Sequence, residues 1–269
     1  MHVRAAPRRG TAPTSSRAFL SVGSLRYLSA CLVVALAAIP AHADGRSYAT
    51  GAFALSLDGA ESGFVRTALG TEGAKKKLVI STEEPSAPLL GTVRAFLDGK
   101  ASKKSIVLST PAVIQKASDA RLLDVRLPSY AGGPNEVALT FEVGSTSSSP
   151  SLRAASDRAK PTGSRLAGFR ISMGDLPTTE ATRLDAAVVK AKDGGAVPGA
   201  LTFDVPSRDA PAYLAWTKKP AARDGVIEYV SATGELVLAL KVGGCTPSSA
   251  KIDGPVTHVV VQCRRARAS

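Results

Sequence analysis

The segment EVALTFEV, residues 136–143, sets Val137, Leu139, Phe141 and Val143 in strict alternation with Glu136, Ala138, Thr140 and Glu142. A period of two places every second side chain on the same face of an extended chain, so such a stretch is stable only as a strand with one buried side. The same signal returns along most of the chain: GAFALSL (51–57), FVRTAL (64–69), KKLVIST (76–82), SIVLST (105–110), RLLDVRL (121–127), GFRISM (168–173), LDAAVVKA (184–191), ALTFDV (200–205), GVIEYV (225–230), ELVLALKV (235–242) and THVVVQC (257–263). These runs predict a mainly β protein. Asp58-Gly59, between the first two, is turn chemistry and predicts a hairpin. Two stretches change period. LLGTVRAFLDG after Pro88 and APAYLAWTKK around Pro211 carry Leu89, Leu90, Val93, Phe96, Leu97 and Tyr213, Leu214, Trp216 at helical spacing, each ahead of a strand.

The order of these signals is repeated. Phe53, Leu55 and Leu57 of the first stretch match Phe169, Ile171 and Met173, and Phe96 matches Trp216. GPNEVALTFEV (133–143) likewise matches GPVTHVVVQC (254–263). Order and spacing are kept at an interval of roughly 116 to 120 residues, which predicts an internal duplication of a unit of roughly 100 residues. Between the halves, GSTSSSPSLRAASDRAKPTGS (144–164) is rich in Ser, Pro and Gly and reads as a linker or mobile loop. The expected organisation is a β domain over 44–145, a linker over 146–164 and a second β domain over 165–269. Each domain is a small β-barrel or sandwich with one short helix.

Residues 1–43 read as a secretory signal peptide: Arg4, Arg8, Arg9, Arg17 and Arg26 precede the apolar run LVVALAAIP, and Ala41-His42-Ala43 ends it, with cleavage between Ala43 and Asp44. A lipoprotein box at Cys31 and a twin-arginine signal at Arg8-Arg9 are both misplaced relative to that run. The run is well short of the ~20 residues that span a bilayer, so no stable membrane span is expected after cleavage. The chain is therefore expected to be exported, either periplasmic or secreted. Of 34 basic and 22 acidic residues, five arginines and no acid belong to the leader, so much of the net +12 is a targeting signal. The remaining cations are scattered with few aromatics, unlike the stripes and stacking rings of nucleic-acid proteins, and no nucleic-acid partner is expected. Cys31 leaves with the leader, and Cys245 and Cys263 remain as an even pair that predicts a disulfide in an exported chain.

Residue types that carry catalysis are sparse, and no catalytic residue, metal ligand or cofactor-binding residue is expected. His258 is the only histidine after residue 43, and it lies in a strand beside Val259, Val260 and Val261. Ser248-Ser249-Ala250-Lys251 fits Ser-x-x-Lys, but no Ser-Asp-Asn or Lys-Thr-Gly accompanies it. Glu83-Glu84 are adjacent and point apart in extended chain, and Trp216 sits at core spacing with Tyr213. Two cysteines and one histidine lack the spacings of a zinc site.

YATGAFALSLDGAESGFVRTALG (48–70), through Phe53, Leu55, Leu57, Asp58, Gly59, Gly63 and Phe64, resembles the opening strands of the phage tail-tube family, shared with the tube protein of type VI secretion. The order strand, helix, closing strands continues the resemblance in both halves. It implies small barrels flanked by a helix, whose sheet edges pair between protomers into rings, and a non-enzymatic role through contacts with itself or a protein partner. A leader and a disulfide depart from tubes assembled in the cytoplasm. A monomeric exported β-sandwich that binds a ligand or envelope polymer is the alternative reading.

Overall fold

A computed structural model describes residues 47–72, 75–133, 135–151, 163–178 and 180–269. The expected leader, its Ala43–Asp44 junction and residues 152–162 of the expected linker lie outside the described residues. The first half contains β1 (Ser47–Leu57), β2 (Ala60–Glu72), β3 (Lys75–Thr82), helix α1 (Ala87–Leu97), β4 (Lys104–Ser109), β5 (Val113–Arg126), β6 (Val137–Val143) and β7 (Ser145–Pro150). The second contains β8 (Gly168–Met173), β9 (Arg183–Leu184), β10 (Val188–Lys192), β11 (Gly195–Pro198) and β12 (Leu201–Pro206). It continues with helix α2 (Ala210–Lys218), β13 (Arg223–Val230), β14 (Leu236–Asp253), β15 (Val256–Gln262) and β16 (Arg265–Ala268).

The protein is mostly β, as the alternation requires, and all strand pairs are antiparallel. Strands β1–β6 close into a six-stranded barrel in the order β1-β2-β3-β6-β5-β4, with β4 returning to β1. Closure removes the exposed edges that an open sheet would leave. The inward residues of β6, Val137, Leu139, Phe141 and Val143, are buried while their neighbours are only partly so. Ile80 and Val125 flank Leu139 from the adjoining strands β3 and β5, and Ile106 of β4 belongs to the same buried cluster.

The pairing scheme returns in the second half. Ile80 opposite Leu139 recurs as Phe203 opposite Val259, and Val125 opposite Leu139 as Ala250 opposite Val259. Leu57 with Ile106 recurs as Met173 with Gly225, and Ala117 with Thr146 as Val242 with Ala266. Among the described residues no ladder closes the series β8-β13-β14-β15-β12-β9: where the first half has the full β1–β2 hairpin, Met173 of β8 makes an isolated bridge to Leu176 in the turn that follows it. The β10–β11 hairpin has no counterpart. It pairs Val189 with Val125 of β5 and Ala196 with Ala266 of β16, so both halves share one continuous sheet. All described residues fall within one compact unit, Ala41–Ser269.

Three expectations change in detail. The 184–191 stretch divides into β9 and β10. Ser145–Pro150, expected within a linker, is strand β7, paired along Val113–Ser118 of β5. Its Ser and Thr residues carry no hydropathy alternation, but the backbone groups find partners on β5 all the same. The helix match also moves, because the pairing spacing runs without a gap from β3 into α1 and from β12 into α2. Pro88 then aligns with Pro211, and Val93 rather than Phe96 with Trp216.

Helix α1 begins at Ser86, whose buried hydroxyl donates to Ser62 O at 2.9 Å, and Pro88 fits its first turn. Its apolar side buries Leu89, Leu90, Val93, Phe96 and Leu97. The other side reaches the second half, where Arg94 Nη2 donates to Val237 O at 2.7 Å and Asp98 Oδ1 accepts from Ala268 N at 3.2 Å. Helix α2 buries Tyr213 and Trp216, with Tyr213 donating to Pro177 O at 3.0 Å and Trp216 Nε1 to Ala221 O at 2.7 Å.

Candidate functional site

The residues that carry the family resemblance form the seam that closes the first barrel. Phe53, Leu55 and Leu57 are buried on the inward face of β1. Asp58 and Gly59 both take positive φ, 51° and 86°, the geometry of a two-residue hairpin turn matched to strand twist. The Asp58 carboxylate then does a second task. It accepts from Lys104 Nζ at 2.7 Å and from Ser105 N at 2.8 Å, so the tip of the β1–β2 hairpin is fastened to the start of β4. The Lys104 hydrogen bond, followed by that from the Ser105 amide, holds the Asp58 carboxyl below the usual range. Gly63 has φ 87°, and Phe64 is half-buried on β2.

Cys245 and Cys263 form the disulfide, one step beyond the Thr246–Gln262 pair that begins the β14–β15 ladder. Both cysteines are buried. The bridge therefore stitches adjacent strands of the second half, close to the point where β15 ends and β16 begins.

His258 is a partnered strand histidine. Its Nδ1 lies 2.6 Å from Oδ1 of Asp204, directly opposite on β12, and its Nε2 lies 3.6 Å from Oδ2 of Asp253. Asp204 is only 5% exposed although it points away from the barrel interior, whereas Asp253 is exposed. Sequence reading missed this buried carboxylate because ALTFDV shows only an acid at an outward strand position. The partner becomes visible only when β12 and β15 are laid in register. Among the described residues no group of three or more His, Cys, Asp or Glu side chains is placed to hold a metal ion.

The remaining chemical candidates are dispersed. Ser248 and Lys251 lie along the extended strand β14, where residues three apart are separated by roughly 10 Å, rather than on one helix face. Glu83 faces Arg66 at 3.6 Å and Arg165 at 3.7 Å in an exposed loop. Trp216 is core, with the Arg223 guanidinium 5.6 Å from its ring centroid. Tyr130, Phe169 and Tyr229 form an aromatic cluster with centroids 5.1 and 6.3 Å apart, and burial pushes the Tyr130 phenol up to about 12.

One sheet edge is open to contact. Strand β7 pairs with β5 alone among the described strands, and Ser145, Ser147, Ser148, Ser149 and Pro150 along it are exposed. Among the described residues no helix is long and apolar enough to cross a membrane. No protein-family model matches the chain, and no curated protein matches it in sequence.

Proposed function

We propose that this chain is an exported, non-enzymatic interaction protein built from two copies of a tail-tube-like unit, which acts through contacts with itself or a protein partner. The observation that carries this reading is the recurrence of one six-strand pairing order in both halves, with a helix between the third and fourth strands each time. The family-like hairpin supports it, because those residues close the barrel on which the rest of the unit is hung. Among the described residues no strand pairs the side of β7 turned away from β5, and its backbone donors and acceptors are ones that a strand of a neighbouring molecule could meet. Its serines and terminal Pro150 limit indiscriminate pairing, as expected of an edge reserved for a specific partner.

Light scattering after size-exclusion chromatography of the chain beginning at residue 44 tests the assembly. Self-association that weakens when Ser148→Pro removes a backbone donor on the side of β7 turned away from β5 is the expected result. A strict monomer at high concentration refutes self-assembly and leaves the monomeric binding module as the reading to pursue.

A further inference from the structure

A broad concavity of about 1050 Å³ opens between the end of α1, the tip of the β10–β11 hairpin and the β14–β16 pair. A second hollow of about 570 Å³ adjoins it and shares Lys241, Arg265 and Arg267 with it. Six cations line the larger space: Lys100, Lys192, Lys241, Arg264, Arg265 and Arg267. All six are exposed. Acids offset them only in part. Asp98 accepts from Ala268 N, and Asp224 is taken by Gly244 N at 2.8 Å and by Arg265 at 3.4 Å. Among the described residues the other five cations make no ion pair, and Asp193 is the one remaining acid of the lining.

Two further features point to a ligand. Lys241 and Arg267 stand directly opposite each other in the β14–β16 ladder, an arrangement of like charges that costs stability in an antiparallel pair. Gly243, in the lining of the smaller hollow, and Gly244 beside it lie against the side chains of Arg265 and Arg264. A Cβ at Gly243 would meet Arg265 Cγ at 3.0 Å, and one at Gly244 would meet Arg264 Cδ at 3.3 Å. The arginine stems therefore lie against bare backbone, which restricts them before any ligand arrives and lowers the cost of ordering them. The lining contains no aromatic ring on which a base or sugar could stack.

We infer that this concavity binds a linear oligophosphate through its phosphate oxygens. Tetrahedral phosphates accept hydrogen bonds from several directions and carry more charge than a carboxylate. Cations converging from the turn after α1, from β10 and β14, and from β16 and the residue before it, three of them forked guanidiniums, suit that chemistry better than a planar acid or a stacked base. The inference stands whether or not the chain assembles.

Calorimetric titration of sodium tripolyphosphate into protein recovered from expression of the full 269-residue chain tests it. Binding that weakens with salt is expected, with Lys241→Gln/Arg267→Gln weakening it about tenfold or more. Lys116→Gln/Lys219→Gln, which removes the same charge outside the concavity, leaves it unchanged. Lys241→Glu supplies an independent reading: relief of the cross-strand repulsion raises Tm by about 1 to 4 °C while binding falls. Absence of tripolyphosphate binding at low salt, or equal loss in the two double variants, overturns the inference. So does equal binding of polyglutamate, binding of duplex DNA alone, or a Lys241→Glu protein with lowered Tm and intact binding.

Discussion

Replacing Phe141 with alanine tests whether the two halves act as one cooperative body. Phe141 is fully buried inside the first barrel, flanked by Leu78 of β3 and Leu122 of β5 in the two adjoining ladders. A large-to-small change of this kind costs about 3 to 5 kcal/mol, and a wall hydrogen-bonded on both sides relaxes little into the space left behind. A loss of about 4 kcal/mol against an m-value of about 3 kcal/mol/M moves the urea midpoint down by roughly 1.3 M. The only tryptophan, Trp216, lies in the other half, buried on α2. Its fluorescence therefore reports unfolding at a distance from the substitution, while circular dichroism reports the whole sheet. The β10–β11 hairpin joins β5 to β16, and α1 bonds to Val237 and Ala268. Both signals should accordingly fall together at the lowered midpoint. A two-step dichroism curve with the Trp216 transition left at its wild-type midpoint would refute the reasoning and show two independently folding halves.

Further outcomes follow from single contacts. Asp58→Asn removes a carboxylate whose folded pKa is depressed, so its contribution is present above the unfolded value of about 4 and is lost as pH falls through the lower folded value. With the side chain 46% exposed, the effect is about 0.5 kcal/mol or less, and the stability gap between wild type and variant should narrow from pH 5 to pH 2 in urea titrations. Reduction of Cys245–Cys263, which closes a separation of 18 residues, should cost about 2 to 4 kcal/mol in the same assay, and intact mass should rise by the two hydrogens gained. Ser86→Ala removes the α1 cap and leaves Ser62 O without its 2.9 Å donor, for a loss of about 1 to 2 kcal/mol. Gly99→Ala is more disruptive in kind: φ is +70° and a Cβ would sit 2.6 Å from Gly194 O, so thermal melts should show α1 and the β10–β11 tip forced apart with a clear drop in Tm.

The strands were legible where burial on one face writes itself into the sequence as alternation, as at Val137–Val143. The Asp58-Gly59 turn was legible for the same kind of reason, because a two-residue hairpin demands residues that tolerate positive φ. Strand β7 was not, since STSSSP buries almost nothing and its order comes from β5. His258 and Asp204 lie 54 positions apart and meet only through the register of β12 against β15. The basic concavity was hidden more thoroughly. Its cations are drawn from residues 100, 192, 241 and 264–267, and along the chain they resemble ordinary solvated positions.

The sequence by itself determined the mainly β character, the two helices with their proline-marked starts, the cysteine pair and the repeated order of elements. Each of these rests on local chemistry: side-chain period, backbone preference, or the spacing of like residues. Only the tertiary structure decided that the first six strands close on themselves, that one hairpin without a counterpart joins both halves into a continuous sheet, and that scattered cations converge. Those outcomes depend on hydrogen bonds and electrostatic fields between segments far apart in the chain, and no window of sequence contains both partners of such an interaction.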